Sequence, residues 1–452
     1  MKILIAGCGK VGETLTNALS LEGYDLTLID SSSPTLSVLL GKYDVIGVEG
    51  NCASLEILEE AGVAEADLLI ACTGSDEVNL LCCMTAHSRN KNLHTIARIR
   101  NPEYVDQSYK MQDAFGLSLT FNPDLQAATE IERLLRYPGF LKRDLFAKGK
   151  MELVELKLDA QSALRDRALR DISGIARCRV LVCAVLREGV AHIPDGQFIL
   201  HEGDRVFVTA SPDNLATLLK NLGISAKKTH NVMIAGGGKI TYYLIELLKN
   251  RAMQISVVEQ NIASCERLAA DFPNITVIHG DVSNHDALAR EGLSDCDALV
   301  TLTGNDELNL ILSLYGNSLE LPQIITKVSH MENSRIIENL PIGSIINPRK
   351  LCSNTVVRYV RAMEAKSGAA IAIHAIADGQ VEASEFCVGQ DTRHVGEPLR
   401  SFRLRPEIRI AAISHGSKTS IPNGDSCFYP GDHLVVVSAI GAEVRQLNDI
   451  FE

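Results

Sequence analysis

The chain has 452 residues, 46% of them apolar and 22% charged, and a formal charge of −12 at pH 7. That length holds two to four domains with buried cores, and the composition is that of a globular protein. An acidic chain gains nothing from phosphate counterion release, which argues against nucleic-acid binding. It has no Lys/Arg cluster to hold anionic lipid and no apolar run near the roughly 20 residues of a spanning helix, which argues against direct membrane insertion.

The chain opens on an apolar run from Lys2 to Ala6 that meets a glycine turn at Gly7. The run is too short and too soon broken for a signal peptide, so a cytoplasmic location is expected. Further apolar runs follow at residues 25–30, 45–50, 67–73 and 95–99. They are near-continuous, as strands buried on both faces should be. Between them, residues 11–23 and 54–62 carry apolar side chains at helical spacing. This alternation predicts a parallel sheet with helices on both faces. After Pro123, residues 124–149 read as two helices broken at Pro138-Gly139. From Met151 to about Gly223, apolar and polar residues alternate around Gly/Pro/Asp turns, which predicts a small α+β lobe with antiparallel strands.

The pattern then repeats. Gly7 aligns with Gly236, Asp30 with Glu259, Gly50-Asn51 with Gly280-Asp281, Thr73 with Thr303, and Asn122-Pro123 with Asn347-Pro348. The lobes repeat too: Ile193–Gly196 matches Ile421–Gly424, and Gly203-Asp204 matches Gly431-Asp432. The predicted fold class is α/β: two tandem Rossmann-like parallel-sheet domains, each followed by a small α+β lobe. The expected divisions are 1–123 for the first Rossmann-like domain, 124–148 for crossover helices and 149–225 for the first lobe. They continue with 230–348 for the second Rossmann-like domain, 349–368 for a shorter linker helix and 369–452 for the second lobe. Twelve cysteines occur, none in a CxxC pair or at zinc-finger spacing from a histidine. Cys72, Cys82, Cys83, Cys178 and Cys183 sit in apolar patterns and read as small buried hydrophobes in a reducing compartment. No metal site is expected.

Gly7-x-Gly9-x-x-Gly12 follows a strand and opens a helix, the context that gives this spacing meaning. The first glycine makes the tight turn, the second lets main-chain N–H groups approach a diphosphate, and the third allows close strand–helix packing. Gly7, Cys8, Gly9, Lys10 and Val11 would then present orphan amides and the positive end of a helix to phosphates. Asp30, at the end of the second strand, suits the two hydroxyls of an adenosine ribose and would repel a 2′-phosphate, favouring NAD(H) or an unmodified adenine nucleotide. The alternative is that Asp30 caps a turn with Ser31–Ser33. The loop lacks Walker A spacing, so ATP hydrolysis is not implied. Lys10 and its counterpart Lys239 lean on phosphates or are solvated first-turn lysines. Cys8, at a helix N-terminus, is a candidate for a thiol of lowered pKa.

Other crevice residues follow from topology, because ligands of parallel sheets bind beyond the C-terminal strand ends. Asn51, after the third strand, lies toward the adenine; Thr73 and Gly74 end the fourth strand. Arg98 ends the fifth, as a cation for the diphosphate or as one partner of a surface ion pair. In the second half the matching residues are Gly236, Gly237, Gly238, Lys239, Ile240, Glu259, Gly280, Asp281, Thr303 and Gly304, with Lys327 in the place of Arg98. Thr241 replaces the third glycine and should push the helix off the strand, which predicts a second site of different affinity.

Taken together, these segments (the loop at Gly7, the strand ending in Asp30, the Thr73-Gly74 helix start and the stretch from Phe121 to Leu135, each echoed after Asn231) resemble the TrkA family. Its members are cytoplasmic subunits of Trk potassium uptake systems built from tandem RCK (KTN) domains. The resemblance implies binding of NAD(H), and in some members ATP or ADP, at the residues named above. It implies a homo-oligomeric ring of four chains and eight RCK units beneath a membrane channel subunit of the TrkH or TrkG type. It further implies gating by nucleotide state, with no reaction catalysed. The helices around Pro138-Gly139 are the expected hinge and dimer surface. One rival is a nucleotide sensor of another cation transporter. Another is an NAD-dependent dehydrogenase, which needs an acid/base in a substrate lobe. His192 and His201 flank a turn in the first lobe, and the second lobe has no histidine at the matching positions.

Overall fold

The computed structural model describes residues 1–452 except 111, 137–141, 147–150, 223–228, 330–336, 338–339, 365–369, 378, 417, 440–441, 443 and 445. By internal packing the chain forms two compact units. The first is Met1–Glu130 with Gly238–Leu247 and Asn347–Val357. The second is Ile131–Gly237, Leu248–Ile346 and Arg358–Glu452.

The first half runs β1 (Lys2–Ala6), α1 (Lys10–Leu21), β2 (Asp25–Asp30), α2 (Ser33–Lys42), β3 (Ile46–Glu49), α3 (Leu55–Glu60), β4 (Leu68–Ala71), α4 (Asp76–Arg89) and β5 (His94–Arg98). It continues with α5 (Pro102–Lys110), α6 (Gln112–Phe115), β6 (Leu119–Phe121) and α7 (Pro123–Arg136). All six strands are parallel, in the order β3-β2-β1-β4-β5-β6. This is the doubly wound order, with its reversal between β1 and β4. Ile3 to Ala6 and Leu68 to Ala71 are essentially inaccessible, as the unbroken apolar runs require. On α1, Val11, Leu15 and Leu19 recur every four residues and are buried on one face. Helices α2 and α4 start where Ser32 and Ser75 accept main-chain N–H groups three residues on.

The first lobe comprises β7 (Lys142–Phe146), β8 (Met151–Lys157), α8 (Ile172–Ala176), β9 (Leu181–Arg187), β10 (Val190–His192), β11 (Arg205–Ala210) and α9 (Pro212–Asn221). Its antiparallel sheet has the order β10-β9-β11-β8-β7. Here one expectation fails. The segment after Pro123 is one helix and one strand, not two helices. Phe146 is buried, and β7 pairs antiparallel with β8 from Lys142 opposite Glu155 to Phe146 opposite Met151. A tertiary partner has overridden the local helical pattern. The break and hinge expected at Pro138-Gly139 lie outside the described residues.

The second half repeats the plan: β12 (Asn231–Ala235), α10 (Lys239–Leu248), β13 (Gln254–Glu259), α11 (Ile262–Asp271), β14 (Thr276–His279), α12 (His285–Arg290) and β15 (Ala298–Thr301). Then come α13 (Asp306–Ser318), β16 (Gln323–Lys327), β17 (Ser344–Ile346) and α14 (Pro348–Glu364). The parallel order is β14-β13-β12-β15-β16-β17, the same as in the first half. The linker helix α14 has 17 residues and α7 has 14. The second lobe holds β18 (Ala370–Ile376), β19 (Val381–Cys387), β20 (Ile408–His415), β21 (Lys418–Ser420) and β22 (His433–Ala439). Their order, β18-β19-β22-β20-β21, mirrors that of the first lobe.

Within the second unit the two lobes share one core. Met151, Leu153 and Phe207 of the first pack in a single cluster with Ala383, Val435 and Val437 of the second. The Gln380 side chain adds hydrogen bonds to the Gly189 carbonyl and from the Ala191 amide. Within the first unit, the Tyr243 hydroxyl of α10 donates to the Arg100 carbonyl and accepts from the Asn122 amide, both at 3.0 Å. Burial pushes the Tyr243 phenol up to about 12. Among the described residues no helix is long and apolar enough to cross a membrane.

Candidate functional site

The first site is built where β1 and β4 end side by side. Gly7 leaves β1 at φ +98°, in the left-handed region that favours glycine. A Cβ there would stand 2.7 Å from the Thr73 amide, so β4 closes on the turn. Gly12 is tighter still: its Cβ would meet the Gly7 carbonyl oxygen at 2.0 Å. Gly9 differs, because nothing lies within 4 Å of a Cβ there. The space above the loop is open at the point where a diphosphate would approach. Helix α1 starts after Gly9 with no side-chain cap, so its first amides are left as donors. Lys10 is exposed and Val11 buried. These features fit a phosphate-bearing ligand.

Asp30 ties the loop to the strand end. One carboxylate oxygen accepts the Cys8 amide at 2.6 Å, and the other accepts the Ser32 amide at 2.8 Å. The turn-capping role and the crevice position thus coincide in one residue. An ionised carboxylate has about four acceptor sites, so two remain for ribose hydroxyls. Asn51 follows β3 exposed, its side chain accepting the Ala53 amide. Gly74 is exposed beside Thr73. Arg98 is only 8% exposed, so it is not part of a surface ion pair. Its Nη2 donates to the Thr73 carbonyl, and its Nε is buried without a hydrogen-bond partner. Burial pulls the guanidinium below its ordinary range.

Cys8 corrects an expectation. Its thiol is buried and pushed up to about 12, first by burial and then by the charge of Asp30. The helix start does not activate it.

The second half reproduces the first group by group. Gly236 turns at φ +107°, and the Gly237 amide donates to Glu259 at 2.6 Å while the Asn261 amide donates to its other oxygen at 2.7 Å. Gly280 donates to the Glu259 carbonyl, and Asp281 accepts from the Ser283 amide. Hydrogen bonds from the Ser283 amide and side chain hold the Asp281 carboxyl low. Lys327 donates through Nζ to the Thr303 carbonyl at 2.5 Å, taking over the contact that Arg98 makes. Gly304 is exposed after Thr303. Gly238 and Lys239 are exposed and Ile240 is buried. Thr241 is fully buried. The close approach seen at Gly12 is not available to a threonine, because its Cβ would overlap a carbonyl.

One residue pair was missed in the sequence reading. Asn79 is inaccessible on α4; its oxygen accepts from the Thr73 amide (2.8 Å) and hydroxyl (2.7 Å), and its nitrogen donates to the Arg98 carbonyl. Asn309 bonds to Thr303 and the Lys327 carbonyl in the same way. These asparagines fix the ends of two neighbouring strands. Their signal was the shared six-residue spacing from Thr73 and Thr303. Asn79→Leu is expected to destabilise the chain by about 2–4 kcal/mol, because the half-buried Thr73 amide and the Arg98 carbonyl lose this partner and the Thr73 hydroxyl keeps only Ser75. A urea unfolding curve followed by far-ultraviolet dichroism measures this.

The histidines of the dehydrogenase reading are engaged separately. His201 Nδ1 lies 3.1 Å from Asp166, and His192 tilts against the Phe198 ring.

The fold and its doubled loop define a tandem RCK protein. The TrkA-N domain model matches residues 3–116 and 232–348, and the TrkA-C domain model matches residues 153–223. The Trk system potassium uptake protein TrkA homolog of Archaeoglobus fulgidus is 30% identical over 451 residues, covering 100% of both chains. The Trk system potassium uptake protein TrkA of Haemophilus influenzae is 28% identical, covering 100% of this chain and 99% of its own. Among solved structures, the GsuK RCK domain matches with a TM-score of 0.64 at 17% identity, covering 97% of this chain and 92% of that one. The GsuK channel bound to NAD matches at 0.62, 17% identity, 97% and 77%. The chain belongs to the TrkA family of Trk system potassium uptake proteins. Its relatives are named for potassium uptake and not for a catalysed reaction.

Proposed function

We propose that the chain is the nucleotide-sensing, non-catalytic regulatory subunit of a Trk-type potassium channel. The observation that carries this reading is the doubled turn in which a glycine-loop amide is held by a strand-end carboxylate, Cys8 by Asp30 and Gly237 by Glu259. In each half the diphosphate of NAD(H), or of ADP or ATP, lies on the loop amides, and Asp30 or Glu259 takes the ribose hydroxyls. The first site comprises Gly7–Val11, Asp30, Asn51, Thr73, Gly74 and Arg98. The second comprises Gly236–Ile240, Glu259, Gly280, Asp281, Thr303 and Gly304. Solved structures of GsuK bound to NAD and to ADP share this fold.

The proposed division is 1–123, 124–148, 149–225, 230–348, 349–368 and 369–452. Four chains form a ring on the cytoplasmic face of a TrkH- or TrkG-type channel. A nucleotide that binds one ring shape more tightly shifts the population toward it, by no more than its differential affinity. The channel reads that shift as gating.

Two measurements test this. Calorimetry with NADH and NADPH should show NADH binding at least about tenfold tighter, since a 2′-phosphate would meet Asp30 or Glu259. Potassium flux through proteoliposomes holding the channel and this chain should change when NADH or an adenine nucleotide is added. Flux that ignores every nucleotide the chain binds overturns the regulatory reading, and absence of binding overturns the sites.

A further inference from the structure

Two cysteine side chains meet beneath the first nucleotide site. Cys52 sits in the turn after β3, next to Asn51, and Cys82 faces the core from α4. Both belong to the core cluster of the first Rossmann-like domain, Cys52 at 5% exposure and Cys82 inaccessible. Their thiols are hydrogen-bonded to each other. The repeat shows that the fold does not require sulfur here. The matching positions in the second half are Val282 and Leu312, buried together in the corresponding cluster. Two aliphatic side chains fill the space in one half, and two thiols fill it in the other.

The two thiols are unequal. The Cys82 thiol donates to the Cys52 sulfur, which holds the Cys52 thiol below its ordinary range despite burial and the charge of Asp30. Cys82 is raised well above its ordinary range by the same hydrogen bond, by burial and by the neighbouring thiols of Cys83, Cys52 and Cys72. Burial pushes Cys72 and Cys83 up to about 12. Cys52 is thus the sulfur nearer the surface and the more easily ionised. Cys82 stands in contact with it as a resolving thiol.

We propose that Cys52 and Cys82 form a thiol switch, closed to a disulfide by a hydroperoxide, that weakens nucleotide binding at the first site alone. The effect on binding rests on the nucleotide reading above; the disulfide does not. The Cys52 thiolate attacks one peroxide oxygen and breaks the O–O bond, giving a sulfenic acid and a hydroxide that takes up the proton Cys52 released. The Cys82 sulfur then displaces hydroxide from the Cys52 sulfur, and the Cys82 proton leaves with it as water. Two thiols and one hydrogen peroxide become one disulfide and two waters, with two electrons passing from sulfur to oxygen. A disulfide of about 2.0 Å is shorter than any thiol hydrogen bond, so closure draws the turn after β3 toward α4. Asn51 adjoins Cys52. Asn79, which holds the Thr73 amide and the Arg98 carbonyl, stands one turn before Cys82. Closure displaces both. Thiol reductants reopen the bond by exchange.

The full reduced chain serves for the test. Exposure to hydrogen peroxide, alkylation of the remaining thiols and non-reducing peptide mapping should recover Cys52 joined to Cys82. After removal of peroxide, titration calorimetry with NADH should show the first site weakened about tenfold, the worth of roughly one hydrogen bond. The second site should be unchanged, and dithiothreitol should restore the first. The double substitution Cys52→Val with Cys82→Leu copies the second half; it should bind NADH as the reduced chain does and ignore peroxide. The smaller change Cys52→Ala should do the same. A map without the Cys52–Cys82 link overturns the proposal, as does a link that leaves the first site unaltered or a peroxide effect that persists in both variants. A reduced chain that binds no NADH overturns the nucleotide sites instead, and the map still decides the disulfide.

Discussion

Gly12→Ala is expected to lower the melting temperature by roughly 6–12 °C, whereas Gly9→Ala leaves it within about 2 °C. The two glycines stand three residues apart in one loop but answer to different physics. At Gly12 a Cβ would lie 2.0 Å from the Gly7 carbonyl oxygen and 3.0 Å from its carbon. Both neighbours are backbone, so relief requires α1 to move away from β1. Overpacking of this kind costs about 3 kcal/mol or slightly more. At Gly9, with φ −65° and open space around the missing Cβ, an alanine strains nothing. Its methyl group would instead occupy the space over the amides of α1. Gly9→Ala should therefore fold normally and weaken NADH binding at the first site by about tenfold or more. Scanning calorimetry without ligand separates the stability effect, and titration calorimetry the binding effect. If Gly9→Ala melts early and binds NADH normally, the glycines have the opposite roles from those assigned.

Asp30→Ala is expected to weaken NADH binding at the first site by about a hundredfold or more. The carboxylate makes two charge-assisted hydrogen bonds to the loop and offers its remaining acceptor sites to the ribose. Each bond from a hydroxyl to an ionised acceptor is worth about 1.5–3 kcal/mol, so losing two reaches that factor. Asp30→Asn keeps the shape and one acceptor, and should fall between the two. Glu259→Ala should act in the same way on the second site and leave the first unchanged. Titration calorimetry on the three variants resolves the sites. An affinity at the first site that survives Asp30→Ala would remove the ribose role and leave Asp30 as a turn cap.

Much of the fold is legible in the sequence. The glycine turns, the strand-end acids and the repeat at Asn231 show in glycine spacing and in which residues close the apolar runs. Both sheets were readable because parallel strands buried on two faces leave unbroken apolar runs. What escaped depended on distant partners. The spacing within Lys142–Phe146 suits a helix, and only its tertiary pairing with β8 makes it the strand β7. The strand β6, of three residues, was too short to leave a periodic signal. Asn79 looked like one more polar residue on α4, and only its three partners reveal it as the clamp between strand ends. The thiol of Cys8 was expected to feel the helix, but burial beside Asp30 dominates. The core shared by the lobes could not be read from alternation, which shows that one face of a strand is buried but not what buries it.

The account rests on loop amides and a strand-end acid holding a dinucleotide in each half of the chain. Determining the structure of the protein with NADH bound tests it most directly. The account predicts a diphosphate over Gly7–Val11 with a ribose at Asp30, and a second nucleotide at Gly236 and Gly237 with its ribose at Glu259. Empty clefts at saturating NADH, or a dinucleotide bound away from both loops, would contradict it.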